Sequence, residues 1–220
     1  MKKTLLVFDY DGTIHNTMNI YEPAFKQAQK FLVEKNLIEA EEVPASRIAG
    51  WLGLNSKEMW DDYKPELPTE YKELGSKIVG DSMVEAVSSH KAIWYEGAIK
   101  ALDILKQQGY KMVILSNCKT SYRDIHWREF DMARWFDKFY ACQAYDFAPK
   151  IDIIKIVLEE YNEAEKVIVI GDRDKDMECA KAVNASFIAC MYGFARPGEL
   201  SGADAYIDDI SKLVETVNEL

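Results

Sequence analysis

Residues Leu5-Leu6-Val7-Phe8 form an apolar run that ends on Asp9-Tyr10-Asp11-Gly12-Thr13, two carboxylates one residue apart followed by a glycine and a threonine. Large and β-branched residues bounded by glycine mark a buried strand, and in open α/β sheets ligands sit beyond the carboxyl ends of such strands. Side chains alternate along a strand, so Asp9 and Asp11 are expected on one side, where their charges repel unless a cation or a proton intervenes. Oxygen ligands of this kind suit Mg2+. A solvated acidic turn is the ordinary alternative for a D-x-D-G-T taken by itself. The rest of the chain decides between them.

From Gly97 onward helix and strand patterns alternate, the signature of a parallel sheet with crossover helices. Strands are expected at Met112 to Ser116, Phe139 to Cys142, Val167 to Ile170 and Ser186 to Cys190, with a weaker one at Ala205 to Ile207. Helices are expected at Ala98 to Gln108, closed by Gly109, at Ile151 to Tyr161, and at the end from Asp209 to Leu220. The stretch from Asn16 to Tyr95 is different, being rich in helical spacing and poor in strand signals. Phe25, Ala28, Phe31 and Leu32 share one face of a helix from Tyr21 to Asn36, Ser56 is a candidate N-cap for a helix to Tyr63, and Thr69 to Ser89 offers Tyr71, Leu74, Ile78, Met83, Val84 and Val87 as core. The expected fold class is therefore α/β, a parallel-sheet core from residues 1–15 and 96–220 interrupted by a helical domain at 16–95.

The length of 220 residues and hydrophobic share of 48% allow a sizeable core. A net charge of −10 argues against affinity for nucleic acid or an anionic membrane, since phosphate backbones attract basic surfaces. Cys118, Cys142, Cys179 and Cys190 lack C-x-x-C spacing and read as reduced thiols. The apolar run after Lys2-Lys3 is far shorter than a signal peptide or a membrane span requires, so a cytoplasmic location is expected.

Three later segments also carry groups suited to phosphate chemistry. Ser116-Asn117 follows Val113-Ile114-Leu115, and a hydroxyl with backbone N–H groups can hold phosphoryl oxygens, although Ser and Asn are also ordinary turn residues. Lys150 opens a helix after Pro149 and can pair with a carboxylate and a phosphoryl group; most lysines are simply solvated. Val167-Ile168-Val169-Ile170 runs into Gly171-Asp172-Arg173-Asp174-Lys175-Asp176. Two acidic strand ends in one sheet repel strongly without a cation.

Asp9-x-Asp11-Gly12-Thr13, Ser116-Asn117, Lys150 and Gly171-Asp172-x-x-x-Asp176 together resemble, in content and order, the four motifs of the haloacid dehalogenase-like hydrolase superfamily. The resemblance spans essentially the whole chain. It implies a Rossmann-like core, an inserted α-helical cap domain, and a Mg2+-dependent phosphatase acting on a small phosphorylated metabolite, similar to the phosphoglycolate phosphatase-like members. Asp9 would then be the nucleophile that becomes an aspartyl phosphate, and Asp11 the general acid and later base. Ser116 and Lys150 would hold phosphoryl oxygens beside Thr13 and Asn117, while Asp9, the Asp11 carbonyl, Asp172 and Asp176 would surround the metal, Asp176 either ligating or orienting ligands. Pro149 precedes Lys150 where many relatives have a following proline, which leaves Lys119 as an alternative lysine. His15 and Asn16 occupy positions near an acidic residue of the family, and His15 reads as a helix-start residue or a substrate contact.

An acid at Asp11 disfavours carbon-halogen and carbon-phosphorus cleavage. A sugar phosphomutase, returning the phosphoryl group to substrate, stays open with Arg47 and Lys57 as candidate second-phosphate ligands, as does a non-catalytic phospho-accepting or binding module. The cap is expected to select the substrate, with Arg47 and Trp51 of Arg47-Ile48-Ala49-Gly50-Trp51 as candidate contacts; a buried Trp and a solvated Arg are the ordinary alternative. Tyr192-Gly193-Phe194 reads as a turn at the rim of the site.

Overall fold

The apolar runs become the interior of one parallel sheet in a computed structural model that describes residues 3–220. Strands β1 (Thr4–Phe8), β2 (Lys111–Ser116), β3 (Lys138–Ala141), β4 (Lys166–Gly171), β5 (Ser186–Cys190) and β6 (Ala205–Ile207) lie in the order β3-β2-β1-β4-β5-β6, each neighbouring pair parallel. The sheet grows outward from β1 in one direction and then in the other, so its topological switch point lies at β1, where Phe8 pairs with Ile114 on one side and Ile170 on the other. A crevice beyond the carboxyl ends of strands at such a point is where this architecture binds ligands.

Alternation along the strands gives each face its helices. Leu5, Val7, Val113, Leu115 and Val169 pack with Ile153, Ile154 and Val157 of α7 (Lys150–Glu160) and with Met177 and Ala180 of α8 (Asp174–Ala182). Leu6, Phe8, Met112 and Ile114 are equally buried on the opposite face, where Phe8 meets Phe136 edge-on at 5.7 Å. That both sets are apolar explains why these strands read as continuous hydrophobic runs. Helices α5 (Ala98–Gln107), α6 (Thr120–Glu129) and α9 (Leu213–Glu219) complete this part.

The chain divides into two compact units, one from the stretch up to Asn16 together with Trp94–Leu220, the other Thr17–Ile93. Trp94 and Tyr95 thus belong with the sheet: Trp94 bridges antiparallel to His15, and the Tyr95 N–H donates to the Ile14 carbonyl at 2.9 Å.

The second unit contains α1 (Met18–Glu34), α2 (Ala45–Ala49), α3 (Ser56–Tyr63) and α4 (Thr69–Ser88). Ile20, Tyr21, Ala24, Phe25, Ala28 and Leu32 form the buried stripe of α1. Two local expectations change. The N-cap of α3 is Asn55, not Ser56, because Asn55 stands three residues before Glu58 and the two exchange side-chain and backbone hydrogen bonds at 2.9 Å. The buried residues of α4 are Gly75, Val79 and Val87, with Leu74 exposed, because the Trp60 indole lies so close to Gly75 that a Cβ there would overlap it. All four cysteines are buried and unbridged, and no described helix is long and apolar enough to cross a membrane.

Candidate active site

Asp9 continues the alternation of Leu5 and Val7, so its carboxylate points toward the face that carries α7 and α8. Its backbone N–H donates to the Ile170 carbonyl at 2.8 Å, the last rung before the chain turns. Two helices deliver partners to the same place. Lys150, at the first position of α7, donates from Nζ to Asp9 Oδ1 at 2.6 Å and to Asp176 Oδ1 at 2.7 Å. Asp176, in the first turn of α8, accepts the Arg173 N–H on its other oxygen at 3.1 Å. The Lys150 side chain is 6% exposed, whereas Lys119 is exposed at the start of α6, so Lys150 is the lysine that meets Asp9.

Asp172, directly after β4, is fully buried and accepts the Phe194 N–H on Oδ2 at 2.6 Å. Two glycines make room for it. Gly12, at φ +86°, and Gly193 approach so closely that a Cβ on either would overlap Asp172. The loop bearing Phe194 is fixed in turn by Glu199, which accepts from Arg173 Nε at 2.7 Å and from the N–H groups of Asp174 and Arg196 at 3.0 and 2.8 Å. The rim segment Tyr192-Gly193-Phe194 is therefore more than a turn: it supplies a backbone donor that orients a site carboxylate, and Tyr192 donates to the Thr13 carbonyl at 2.8 Å.

The carboxylates of Asp9, Asp172 and Asp176 each offer an oxygen within 4.8 Å of the others. When all three are ionised, one ammonium leaves two negative charges in a buried place uncompensated. Asp172 Oδ1 is buried with no hydrogen-bond partner among the described residues. Hard oxygen donors, an open buried ligand atom and an uncompensated double charge fit a divalent cation such as Mg2+. Asp172 is placed to ligate directly; Asp176, with both oxygens already accepting, is placed to orient as much as to ligate.

Burial, and then the nearby Asp176, raise the Asp9 carboxyl to about 7 despite the attraction of Lys150. Burial, then Asp9 and Asp176, raise Asp172 well above the usual carboxylate range. For Lys150 burial opposes the charged form, but Asp176 and Asp9 outweigh it and hold the ammonium protonated. A carboxyl whose folded value exceeds its unfolded one stabilises the fold below the unfolded value, and that contribution is lost as pH rises through the folded value. The metal-free protein is thus expected to lose stability from about pH 4 through about 7. A divalent cation held by these carboxylates would compensate them when ionised, so Mg2+ is expected to raise Tm more at pH 8 than at pH 5 in thermal melts; an equal or reversed increment would remove these carboxylates as its ligands.

Asp11 adds its charge to the pressure on the Asp9 carboxyl and is held by neighbours of its own. The ladder ends at Asp9, and the next residues form a turn in which the Tyr10 carbonyl accepts the N–H groups of Ile14 and His15 at 3.0 and 2.9 Å. The Asp11 carboxylate accepts from the Tyr122 hydroxyl at 2.7 Å, with His15 Nδ1 at 3.3 Å. His15 neither caps a helix nor lies at the surface; it is fully buried, stacked on Tyr10 at 5.3 Å. Tyr122 and His126, one turn apart on α6, were not singled out by any sequence motif. Burial, then Asp11, raise the Tyr122 hydroxyl far above its ordinary value and keep it a donor. Burial, then His15, push His126 down to about 3.

Ser116 is buried at the end of β2. Thr13 is buried with no partner for Oγ1 among the described residues, and the exposed Asn117 accepts from the Cys142 thiol at 3.0 Å. In the helical unit Trp51 is buried and donates to Asp62 Oδ2 at 2.7 Å, while Arg47 lies over the Trp51 ring at 5.4 Å and donates to the Asp62 carbonyl at 3.2 Å. Lys57 is paired with Asp61 at 2.8 Å.

The family model described as haloacid dehalogenase-like hydrolase matches residues 6–190. The pyrophosphatase PpaX of Listeria welshimeri is 25% identical over 99% of this chain and 98% of its own length. A glyceraldehyde 3-phosphate phosphatase of Methanocaldococcus jannaschii is 24% identical over 98% of this chain and 97% of its own. Among solved structures, one described as a predicted phosphoglycolate phosphatase from Haemophilus somnus superposes with a TM-score of 0.81 at 19% identity, covering 99% of both chains, which shows the fold. With its strand-end carboxylates, its lysine and its sheet order in place, the chain belongs to the haloacid dehalogenase-like hydrolase family.

Proposed function

We propose that this hydrolase is a Mg2+-dependent phosphatase of a small phosphorylated metabolite, working through an aspartyl phosphate on Asp9. Phosphoric monoester hydrolysis is supported by family membership and by relatives named for pyrophosphatase and phosphatase activity. The observation that carries the mechanism is Lys150 Nζ at 2.6 Å from the Asp9 carboxylate, inside a cluster that fits a divalent cation.

Lys150 offsets the charge of Asp9 and Asp176, which allows Asp9 to be present as the carboxylate a nucleophile requires. In the first step an Asp9 oxygen bonds to phosphorus, the bond from phosphorus to the ester oxygen breaks, and Asp11 gives its proton to that oxygen. In the second, water attacks the phosphorus of the aspartyl phosphate, Asp11 takes the water's proton, and the Asp9 carboxylate leaves as phosphate forms. Ser116 and Lys150 are assigned the phosphoryl oxygens, with Thr13 and Asn117 beside them. A metal held by Asp9, Asp172 and Asp176, together with the Asp11 carbonyl, would supply charge stabilisation for the phosphoryl group.

The names of the relatives span pyrophosphate and a triose phosphate, so the shared core does not set the leaving group. The mutase reading gains nothing from Arg47 and Lys57, whose charges already face Asp62 and Asp61. Inorganic phosphate release from a broad panel of phosphoesters should require Mg2+ and stop with EDTA. Hexose phosphate isomerisation without net phosphate release would replace this reading with the mutase, and release that persists in EDTA would remove the metal from it.

A further inference from the structure

We propose that Tyr122 and His15 are positioning residues for Asp11, holding its carboxyl group in the orientation that delivers the proton to the leaving oxygen. The proposal rests on the phosphatase reading above and adds two residues to it. Tyr122 Oη, His15 Nδ1 and Asp11 Oδ1 form a closed triangle, with separations of 2.7 Å from Tyr122 to Asp11, 3.1 Å from Tyr122 to His15 and 3.3 Å from His15 to Asp11. The tyrosine proton points to the carboxylate, so the hydroxyl oxygen is open to accept from His15 Nδ1–H; the His15 proton is assigned to Nδ1 accordingly.

A carboxylate on a turn has two rotatable bonds, and proton transfer to a leaving oxygen demands one orientation of it. The triangle can impose that orientation because its own members are immobilised. His15 is stacked on Tyr10 and meets His126 at 4.8 Å between ring centres, and Tyr122 meets His126 at 4.1 Å. Tyr10 is fixed at its hydroxyl, which accepts from Trp94 Nε1 at 3.0 Å and lies 2.7 Å from His126 Nδ1. Both contacts hold the Tyr10 ring in place beside His15. These groups are brought together from the turn after β1, from α6 and from the segment before α5. A purely structural aromatic core would not need to end on the side chain of a site acid.

The test compares two classes of ester on one preparation of Tyr122→Phe, which keeps the ring and removes only the hydroxyl. An alkyl phosphate needs a proton on its departing oxygen, whereas 2,4-dinitrophenyl phosphate departs without one. The value of kcat/KM, which reports the first step, should fall about 10- to 100-fold for the alkyl ester and less than about 3-fold for the aryl ester. In an Asp11→Asn background the same change should add no further loss for the alkyl ester. Loss of folded protein lowers both rates equally and cancels from their ratio. An unchanged ratio, or additive losses with Asp11→Asn, overturns the positioning role while leaving the phosphatase intact. Wild-type protein inert toward every alkyl phosphate of the panel overturns the phosphatase reading and this assignment together.

Discussion

Asp9→Asn is expected to abolish turnover, by about 10^5-fold, while leaving a protein at least as stable as the parent in EDTA at pH 8. The two halves of that result have one cause. The Asp9 carboxyl is raised to about 7 by burial and by Asp176, so at pH 8 the fold carries an ionised group that it disfavours. An amide of the same shape removes that charge and can still accept from Lys150, which lies 2.6 Å from Oδ1. The amide is no nucleophile toward phosphorus, so the covalent step is lost with it. Phosphate release and thermal melts on one preparation check both halves. Turnover within tenfold of the parent would remove Asp9 as the nucleophile, and a lower Tm would remove the account of its charge.

Lys150→Met should have the opposite signature, inactivating and destabilising together. The ammonium stands between Asp9 and Asp176, with side chains 6%, 9% and 3% exposed respectively. Methionine fills much of the same volume but leaves two buried carboxylates without their cation, and breaking a buried pair in this way costs about 3–5 kcal/mol. For a chain of this size that is a fall in Tm of about 10 °C at pH 8 without metal. Protonating the carboxylates relieves the defect, so the difference from the parent should shrink toward pH 5. A pH-independent difference would mean that the lysine acts through packing alone.

Much of this arrangement was legible from the chain, for reasons the fold makes plain. Parallel strands buried on both faces must be apolar throughout, so Val113-Ile114-Leu115 and Val167-Ile168-Val169-Ile170 announce themselves, and the polar residues that end them mark the crevice. Lys150 was the preferred lysine with Lys119 as its alternative, and only the packing of α7 on the sheet decides which ammonium reaches Asp9. What sequence could not show lies in contacts between distant residues. His15 and Tyr122 are 107 positions apart, and nothing near His15 says that its ring faces a tyrosine rather than a substrate. The Phe194 donor on Asp172 is a backbone N–H, which no residue type advertises.

The bridge between His15 and Trp94, with the Tyr95 N–H on the Ile14 carbonyl, has a consequence for how such a chain can change over generations. It is a clasp at the neck of an insertion: the main chain departs toward Thr17 and returns after Ile93 through two strands of backbone that are already bonded to each other. Everything between can lengthen, shorten or be exchanged for another sequence while the clasp keeps Asp9 and Asp11 in register with the sheet. Asp9, Asp11, Ser116, Lys150, Asp172 and Asp176 all lie outside that stretch, so they can be kept while it is rewritten.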